Sequence, residues 1–201
     1  MVQRYYDKRA DPQDPNPFRW EGYLRDGAIP RRDGGELPIQ SLPPFLRALL
    51  VTDGTVTKIL EAFFWEPVEV QTLRQEFVAA ERPIDWIQVR AHDEVMIRHA
   101  RLRGTDSGRV YATAFSVIRT ELIPETFRQR LIDREIGIGV LIRDSGLESY
   151  REVLEVGVEP VAATGDYAPA GDDLVFRTYR IIIGREPVIL ITESFPLDLY
   201  S

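Results

Sequence analysis

The segment LVFRTYRIIIGREPVILITESFP, residues 174–196, predicts two long strands joined by a tight turn at 184–187. Five successive β-branched or aliphatic residues, 188–192, are typical of a strand that is buried on both faces. Because side chains alternate along a strand, Glu193 falls on the same face as Ile189. An ionised carboxylate among apolar neighbours is costly unless it is paired, and burial that favours the neutral form would let Glu193 act as an acid. Glu193 is therefore the first candidate for catalysis.

Three arginines occur in phase with apolar residues of predicted strands. Arg98 lies in EVMIRHARL, and Arg177 and Arg180 fall on opposite faces of the strand at 174–183. A guanidinium binds a carboxylate through two hydrogen bonds and keeps its proton, so these arginines could surround a small anionic ligand beside Glu193. Arginine would then clamp a carboxylate while Glu193 transfers a proton. The same side chains could equally form a structural ion-pair cluster, and the sequence leaves both interpretations open.

The remaining periodicity predicts an α+β fold with a single antiparallel sheet of about six strands, covered by helices. One short helix that ends before Gly54 and a second that starts after Thr55 form a compact helical hairpin. Because hairpins join the long strands, a doubly wound parallel sheet is not expected. Strands are predicted at 68–78, 94–103, 109–119, 150–158, 174–183 and from 187 onward, and helices at 123–132 and 138–144.

Residues 1–40 differ in composition from residues 41–201. They contain five prolines, three of them in the segment DPQDPNP at 11–17, which cannot form a helix or a central strand. A chain of 201 residues is long for one small domain and short for two. The sequence therefore predicts an irregular, proline-rich N-terminal arm followed by one domain.

The composition narrows the available chemistry. The chain has no cysteine and only two histidines, which argues against thiolate chemistry and against a His-rich metal site. A net charge of −7 argues against nucleic acid as the main partner. No apolar run is long enough to span a bilayer and no hydrophobic signal core begins the chain, so we expect a cytoplasmic protein. Carboxylates, arginines, tyrosines and backbone amides are the groups left for chemistry.

Four motifs in series carry a family resemblance: LLVTDGTVTKILEAFFWEPVEV, VMIRHARL, IGIGVLIRDSGLESYREVLEVG and FRTYRIIIGREPVILITESFP. Together they resemble the chorismate–pyruvate lyases, or 4-hydroxybenzoate synthases, over roughly residues 42–199. The resemblance implies one antiparallel sheet, covered by helices, around a water-excluded internal site. It also implies a lyase of aromatic biosynthesis that converts chorismate to 4-hydroxybenzoate and pyruvate and needs no metal or cofactor.

The resemblance also assigns site residues. The family's carboxylate-binding arginine falls on Arg98, and its essential glutamate falls on Glu193. Two flap positions that cover the site fall on Val56, where the family often has methionine, and on Ile138. Because Val56 departs from the family's methionine, we expect a looser or reshaped lid, whereas Ile138 is still aliphatic.

The implied substrate fits the residues at hand. Chorismate carries two carboxylates, so Arg98 together with Arg177 or Arg180 would supply two anchors of matching charge. Our hypothesis is that a neutral Glu193 protonates the departing enolpyruvyl group while Arg98 fixes the ring carboxylate. Because the ring becomes aromatic, one well-placed acid and rigid positioning could suffice.

Other functions remain open at this point. The same sheet resembles the effector-binding domains of some bacterial transcription regulators, which bind small molecules without catalysis. A third interpretation is a structural domain whose arginine and glutamate side chains form an inert ion pair. Within the enzyme class, a relative could make 3-hydroxybenzoate. The oligomeric state cannot be inferred from the sequence.

Overall fold

Six long strands form one antiparallel sheet in the computed structural model, which describes residues 2–6, 8, 18, 27–133, 137–161 and 173–200. In chain order the elements are α1 (Gln3–Tyr6), β1 (Ala28–Pro30), β2 (Glu36–Pro38), α2 (Pro44–Val51), α3 (Val56–Phe64), β3 (Val68–Ala79), β4 (Glu94–Gly104), β5 (Val110–Ile118), α4 (Glu125–Ile132), α5 (Ile138–Ser145), β6 (Ser149–Pro160), β7 (Asp173–Ile183) and β8 (Glu186–Pro196). The α+β class and the number of sheet strands are therefore confirmed.

The strand order β3-β4-β5-β8-β7-β6 brings the last hairpin into the middle of the sheet. β8 pairs with β7 on one side and with β5 on the other, both antiparallel. Every residue of β8 from 187 to 196 is buried, as expected for a central strand covered on both faces. Glu193 lies opposite Arg177 in β7 and opposite Ala114 in β5. The register of these two pairings fixes which side chains share a face with Glu193.

The two faces of the sheet carry separate hydrophobic clusters. The larger cluster lies under α2 to α5, where each helix presents apolar residues at i, i+4 spacing. The smaller cluster lies on the opposite face, where Tyr5 of α1 and Trp86 pack on Phe115 and neighbouring strand residues. The helices α2 to α5 are eight or nine residues long. In the described part of the chain no helix has the length and apolarity needed to cross a membrane.

Some of the predicted N-terminal arm has regular structure. β1 and β2 pair as a small antiparallel hairpin, and Ile29 in β1 and Phe18 are buried in the larger cluster. Ion pairs join Arg4 to Glu159 in β6 at 3.3 Å and Arg31 to Asp173 in β7 at 3.0 Å. The proline segment 11–17 lies outside the described residues. The division into an arm and a domain at residue 40 stays a prediction.

Candidate active site

A cavity lies between the helix-covered face of the sheet and the first turns of α3 and α5. The space that its lining surrounds is about 650 Å³, which includes open solvent at the mouth. Residues 54–57 and 137–140 form one wall, and residues of all six long strands form the other. The larger aliphatic residues of the lining are Val56, Val70, Leu102, Ile138, Val140, Ile181 and Ile191. The cavity is therefore suited to a small ring with polar substituents.

Two glycines let the helices approach each other and the sheet at this wall. A Cβ added to Gly139 would lie 3.3 Å from Cγ2 of Thr55, the residue that precedes α3. A Cβ added to Gly137 would lie 3.1 Å from Cγ2 of Val70 in β3. Both distances are tighter than ordinary van der Waals contact, so larger residues would push the helices apart. The two glycines of GIG at 137–139 thus allow the helices and the sheet to pack closely at this wall of the cavity.

Glu193 lies at the floor of the cavity with both carboxylate oxygens engaged. Arg177 donates from Nε to Oε2 at 2.9 Å, and the Tyr179 hydroxyl donates to Oε1 at 3.2 Å. Both partners project from β7, directly opposite Glu193 and two residues away. The side chain of Glu193 is 9% exposed, and this remaining surface faces the cavity. The carboxylate is therefore held in one orientation toward a bound ligand.

The Tyr179 hydroxyl acts as a donor over the whole neutral range. Burial, followed by the negative charge of Glu193, raises the pKa of Tyr179 well above its ordinary value. The positive charges of Arg177 and Arg151 oppose this shift. Because the hydroxyl keeps its proton, Tyr179 can hold the Glu193 carboxylate but does not compete with it as a base.

Arg177 supports Glu193 from behind the cavity floor. It is 1% exposed and is not among the residues that line the cavity. Its Nη1 donates to the carbonyl oxygen of Thr52 at 2.6 Å, and its guanidinium lies 4.8 Å from the centre of the Tyr179 ring. A guanidinium this deeply buried needs a counter-charge, and Glu193 supplies it. The ion pair and the orientation of Glu193 thus depend on each other.

Arg98 reaches the same cavity from β4 and is 2% exposed. Its Nε and Nη2 donate to the Thr72 hydroxyl at 3.2 and 2.7 Å. Arg98 lies opposite Ser116 of β5. Ala114, two residues from Ser116 on the same strand, lies opposite Glu193. Two strand spacings and two residues separate the Cα atoms of Arg98 and Glu193 by about 12 Å. This separation leaves room for a small ring between the two side chains.

The four residues that the family resemblance assigned meet in one place. Arg98, Glu193, Val56 and Ile138 all line the cavity. Val56 begins α3 and Ile138 begins α5, so the two flap residues come from two different helices and face the sheet. Both are buried. The roles of these residues as a lid and as the floor of a substrate site stay predictions.

Arg180 does not line the cavity, contrary to the expectation that it could anchor a substrate carboxylate. Its side chain lies on the opposite face of the sheet, where Nε donates to Glu152 at 2.6 Å and Nη1 donates to the carbonyl oxygen of Trp86 at 3.0 Å. Arg177 projects from the cavity side of β7, but it sits behind Glu193 and does not line the cavity. Strand alternation put the two arginines on opposite faces, and only the register of β7 against β8 decided which face is the cavity side.

The sequence analysis missed Arg151, which lines the cavity from β6. Its Nη1 donates to the carbonyl oxygen of Asp53, in the loop before α3, at 2.8 Å. Arg151 lies opposite Ile181 in β7, whose side chain also lines the cavity. A register shift between Val153 and Glu155 breaks the alternation of β6, so periodicity along the strand does not reveal the face of Arg151.

The lining carries an excess of positive charge. Among the described residues that line the cavity, the charged ones are Arg98, Arg151 and Glu193. Arg177 pairs with Glu193 from behind, so the two lining arginines are not balanced by that carboxylate. A cavity with this charge distribution favours small anions. Nowhere in the described ranges do three or more His, Cys, Asp or Glu side chains group as a metal site.

A family model and several relatives that are similar to this chain are all described as chorismate pyruvate-lyases. A family model described as "Chorismate pyruvate-lyase Rv2949c-like" matches residues 50–201, which include both cavity walls. A chorismate pyruvate-lyase of Mycobacterium leprae is 29% identical over 81% of this chain and 79% of its own length. A chorismate pyruvate-lyase of Mycobacterium tuberculosis strain H37Rv is 26% identical over 78% of this chain and 82% of its own length.

Solved structures with a similar fold belong to transcription regulators. The effector domain of PhnF from Mycobacterium smegmatis superposes with a TM-score of 0.54, at 12% identity, over 72% of this chain and 90% of that chain. A GntR-family transcriptional regulator from Bacillus cereus gives a TM-score of 0.52, at 13% identity, over 67% of this chain and 94% of that chain. At such low identity the likeness concerns the fold alone.

Proposed function

The chain belongs to the Rv2949c-like chorismate pyruvate-lyase family, and we propose that it eliminates pyruvate from chorismate to give 4-hydroxybenzoate. The observation that carries the proposal is that Glu193 and Arg98 line one cavity, at a separation that fits a small ring. A proton-transfer group and a carboxylate clamp are the two elements that this elimination requires.

In the proposed complex Arg98 binds the ring carboxylate. The guanidinium is buried, and Thr72 orients it through two hydrogen bonds. A buried guanidinium binds a carboxylate more strongly than an exposed one because water competes less for both groups. Val56 and Ile138 cover the ring from the opposite wall. The ring is then fixed between the lid and the sheet, with its substituents toward Glu193.

The proposed chemistry needs no other reactant. The carboxylate of Glu193 takes the proton from the ring carbon that bears the hydroxyl, and the electron pair of that C–H bond becomes a ring double bond. The bond between the neighbouring ring carbon and the ether oxygen breaks, and its electron pair leaves with the enolpyruvyl group. Glu193, now protonated, acts as the acid and gives the proton to the methylene carbon of that group. The products are aromatic 4-hydroxybenzoate and pyruvate.

This route modifies the expectation that Glu193 is neutral before the reaction begins. The carboxylate forms an ion pair with Arg177, so the proton that it delivers is the one taken from the substrate. Arg177 and Tyr179 keep both oxygens of Glu193 in place while the proton moves. Arg177 is therefore a positioning residue in this proposal, and Glu193 and Arg98 are the groups that touch the substrate.

The alternative is a non-catalytic effector-binding domain, which the fold likeness to transcription regulators supports. The charges of the cavity favour the lyase. A domain that only binds a small organic anion gains nothing from a carboxylate in the floor of the pocket, because Glu193 would repel the ligand. A proton-transfer reaction, in contrast, requires a group that accepts and donates the proton, and the carboxylate of Glu193 can do both.

One assay separates the two functions. Purified protein is incubated with chorismate, and the products are separated and identified by chromatography. The lyase proposal predicts 4-hydroxybenzoate and pyruvate in equal amounts. Chorismate that is bound but unchanged would support the effector-binding alternative, and 3-hydroxybenzoate as the product would contradict the proposed position of the lost proton.

A further inference from the structure

Arg151 is a cavity-lining cation that the proposed roles of Arg98 and Glu193 leave unexplained. We propose that Arg151 forms a second anion subsite, which binds the carboxylate of the three-carbon ether substituent of the substrate. The proposal rests on the proposed function, because it assigns the two ends of a dianionic substrate to two sites. The ligand class is a six-membered ring acid with a second carboxylate on an ether next to a ring hydroxyl.

The position of Arg151 in the sheet is the first argument. Glu193 projects from β8, Arg98 from β4 and Arg151 from β6. In the strand order β4-β5-β8-β7-β6, the carboxylate lies two strands from each arginine. The register places Arg98 level with Ile191 and Arg151 level with Ile189. A ligand that spans the two guanidinium groups would therefore cross β8 beside Glu193, within reach of its side chain. In chorismate the bond that breaks lies between the two carboxylates, which matches this order.

The charge of Arg151 is the second argument. Its Nη1 donates to a neutral group, the carbonyl oxygen of Asp53, at 2.8 Å. Across the described ranges no carboxylate lies within ion-pair distance of its guanidinium, whereas Glu193 pairs with Arg177 and Glu152 pairs with Arg180. An arginine that lines a cavity without a protein counter-ion is poised to bind an anion there.

The surroundings of the guanidinium are the third argument. A Cβ added to Gly139 would lie 4.0 Å from Nη2 of Arg151 and 3.3 Å from the Thr55 side chain. The guanidinium therefore lies where the first turns of α3 and α5 meet, at the lid of the cavity. Its positive charge also lowers the pKa of the Tyr179 hydroxyl, against the larger effect of burial, so it acts within electrostatic reach of the Glu193 group. Arg151 can thus contact a substituent that extends from a ring held by Arg98.

A structural role for Arg151 makes a different prediction. The hydrogen bond to Asp53 ties β6 to the loop before α3, so loss of Arg151 could loosen the lid and weaken every ligand equally. An anion subsite instead discriminates between ligands. The two roles are separated by two stable ligands that differ in one carboxylate: 3-(carboxymethoxy)-4-hydroxybenzoate and 3-ethoxy-4-hydroxybenzoate.

The experiment measures the dissociation constants of both ligands by calorimetry for the wild type, Arg151→Met, Arg98→Met and the control Arg101→Met. Arg101 lies on β4, and its Nε donates to Gln71 at 2.6 Å, outside the cavity lining. We expect Arg151→Met to weaken the dicarboxylate about 10- to 100-fold, the size of a charge-assisted hydrogen bond. Binding of the ethoxy ligand should change less than about twofold, and Arg101→Met should change neither ligand.

The subsite proposal is overturned if Arg151→Met weakens the two ligands equally or leaves the preference for the dicarboxylate intact. Arg98→Met should weaken both ligands, because both carry the ring carboxylate. Thermal unfolding of each variant identifies a folding defect, and Arg151→Lys, which keeps the charge, should retain part of the preference. Wild-type protein that prefers the dicarboxylate through Arg151 but does not convert chorismate would refute the proposed reaction and leave the subsite standing.

Discussion

Arg177 lies directly opposite Glu193 in the β7–β8 pair, and its Nε donates to Oε2 of the carboxylate at 2.9 Å. Both side chains are nearly inaccessible to water. Each charge would be costly to bury alone, so removal of either residue would leave the other as an uncompensated buried charge. This relationship fixes the candidate catalytic group in place before any substrate arrives.

Replacing Arg177 with methionine should destabilise the protein by about 3–5 kcal/mol, because Glu193 would remain as a buried, uncompensated charge. Urea unfolding measures the change. The control is Arg143→Met, whose partner Asp144 is exposed and whose loss should cost less than about 1 kcal/mol. The double variant Arg177→Met/Glu193→Gln should regain part of the loss. A double variant less stable than Arg177→Met would contradict the coupling.

Replacing Glu193 with glutamine should lower kcat for chorismate about 100- to 10,000-fold, because the amide cannot accept the ring proton. Steady-state kinetics measures the change, and Glu81→Gln at an exposed position serves as the control. Binding of 4-hydroxybenzoate should persist, since Arg98 is intact. Full activity of the Glu193→Gln variant would refute the proton-transfer role.

Replacing Arg98 with methionine should raise KM for chorismate and the dissociation constant of 4-hydroxybenzoate about 10- to 100-fold. The reason is the loss of the guanidinium that clamps the ring carboxylate. Thr72→Val removes the hydroxyl that accepts from Nε and Nη2 of Arg98, so it should raise both constants about two- to tenfold. Unchanged product binding in Arg98→Met would exclude the clamp.

Protonation of His99, which lies on the face of the sheet opposite the cavity, should lower the free energy of unfolding in mild acid. Burial, followed by nearby positive charges that include Arg74, lowers the pKa of His99 from 6.5 to about 4. Because the folded state disfavours the charged imidazole, this contribution is complete above pH 6.5 and is lost as pH falls toward 4. Its size is at most about 3 kcal/mol, because solvent screens part of the effect. Urea unfolding at several pH values should show a smaller fall in this window for His99→Phe.

Tyr5 tests whether the start of the chain belongs to the folded unit. The centre of its ring lies 5.9 Å from the centre of the Phe115 ring. Its hydroxyl forms a hydrogen bond of 2.7 Å with the hydroxyl of Thr192 in β8. Tyr5→Ala should destabilise the protein by about 3–5 kcal/mol through the cavity that it creates. Tyr5→Phe, which loses only the hydrogen bond, should cost about 1 kcal/mol. A cost below 1 kcal/mol for Tyr5→Ala would mean that the first residues are dispensable for folding.

Local pattern was enough to predict the strands and helices of residues 68–196 to within a few residues. Period-two alternation and the hairpin turn at 184–187 are local properties of the chain, so they can be read without neighbours. The same alternation identified Glu193 and Arg98 as charges on apolar faces, and the family resemblance gave them their proposed roles. The regular elements in residues 1–40 were not predicted, because they are short and their apolar residues pack against distant strands.

The sequence by itself determined the α+β class, the antiparallel sheet and the presence of charges on apolar faces, because each follows from the order of neighbouring residues. Only the tertiary structure decided which arginines meet Glu193. Cross-strand register put Arg177 behind the carboxylate and Arg180 on the far face, and the register shift in β6 turned Arg151 into the cavity. Register and bulges depend on contacts between strands far apart in sequence, so the pattern within one strand cannot specify them.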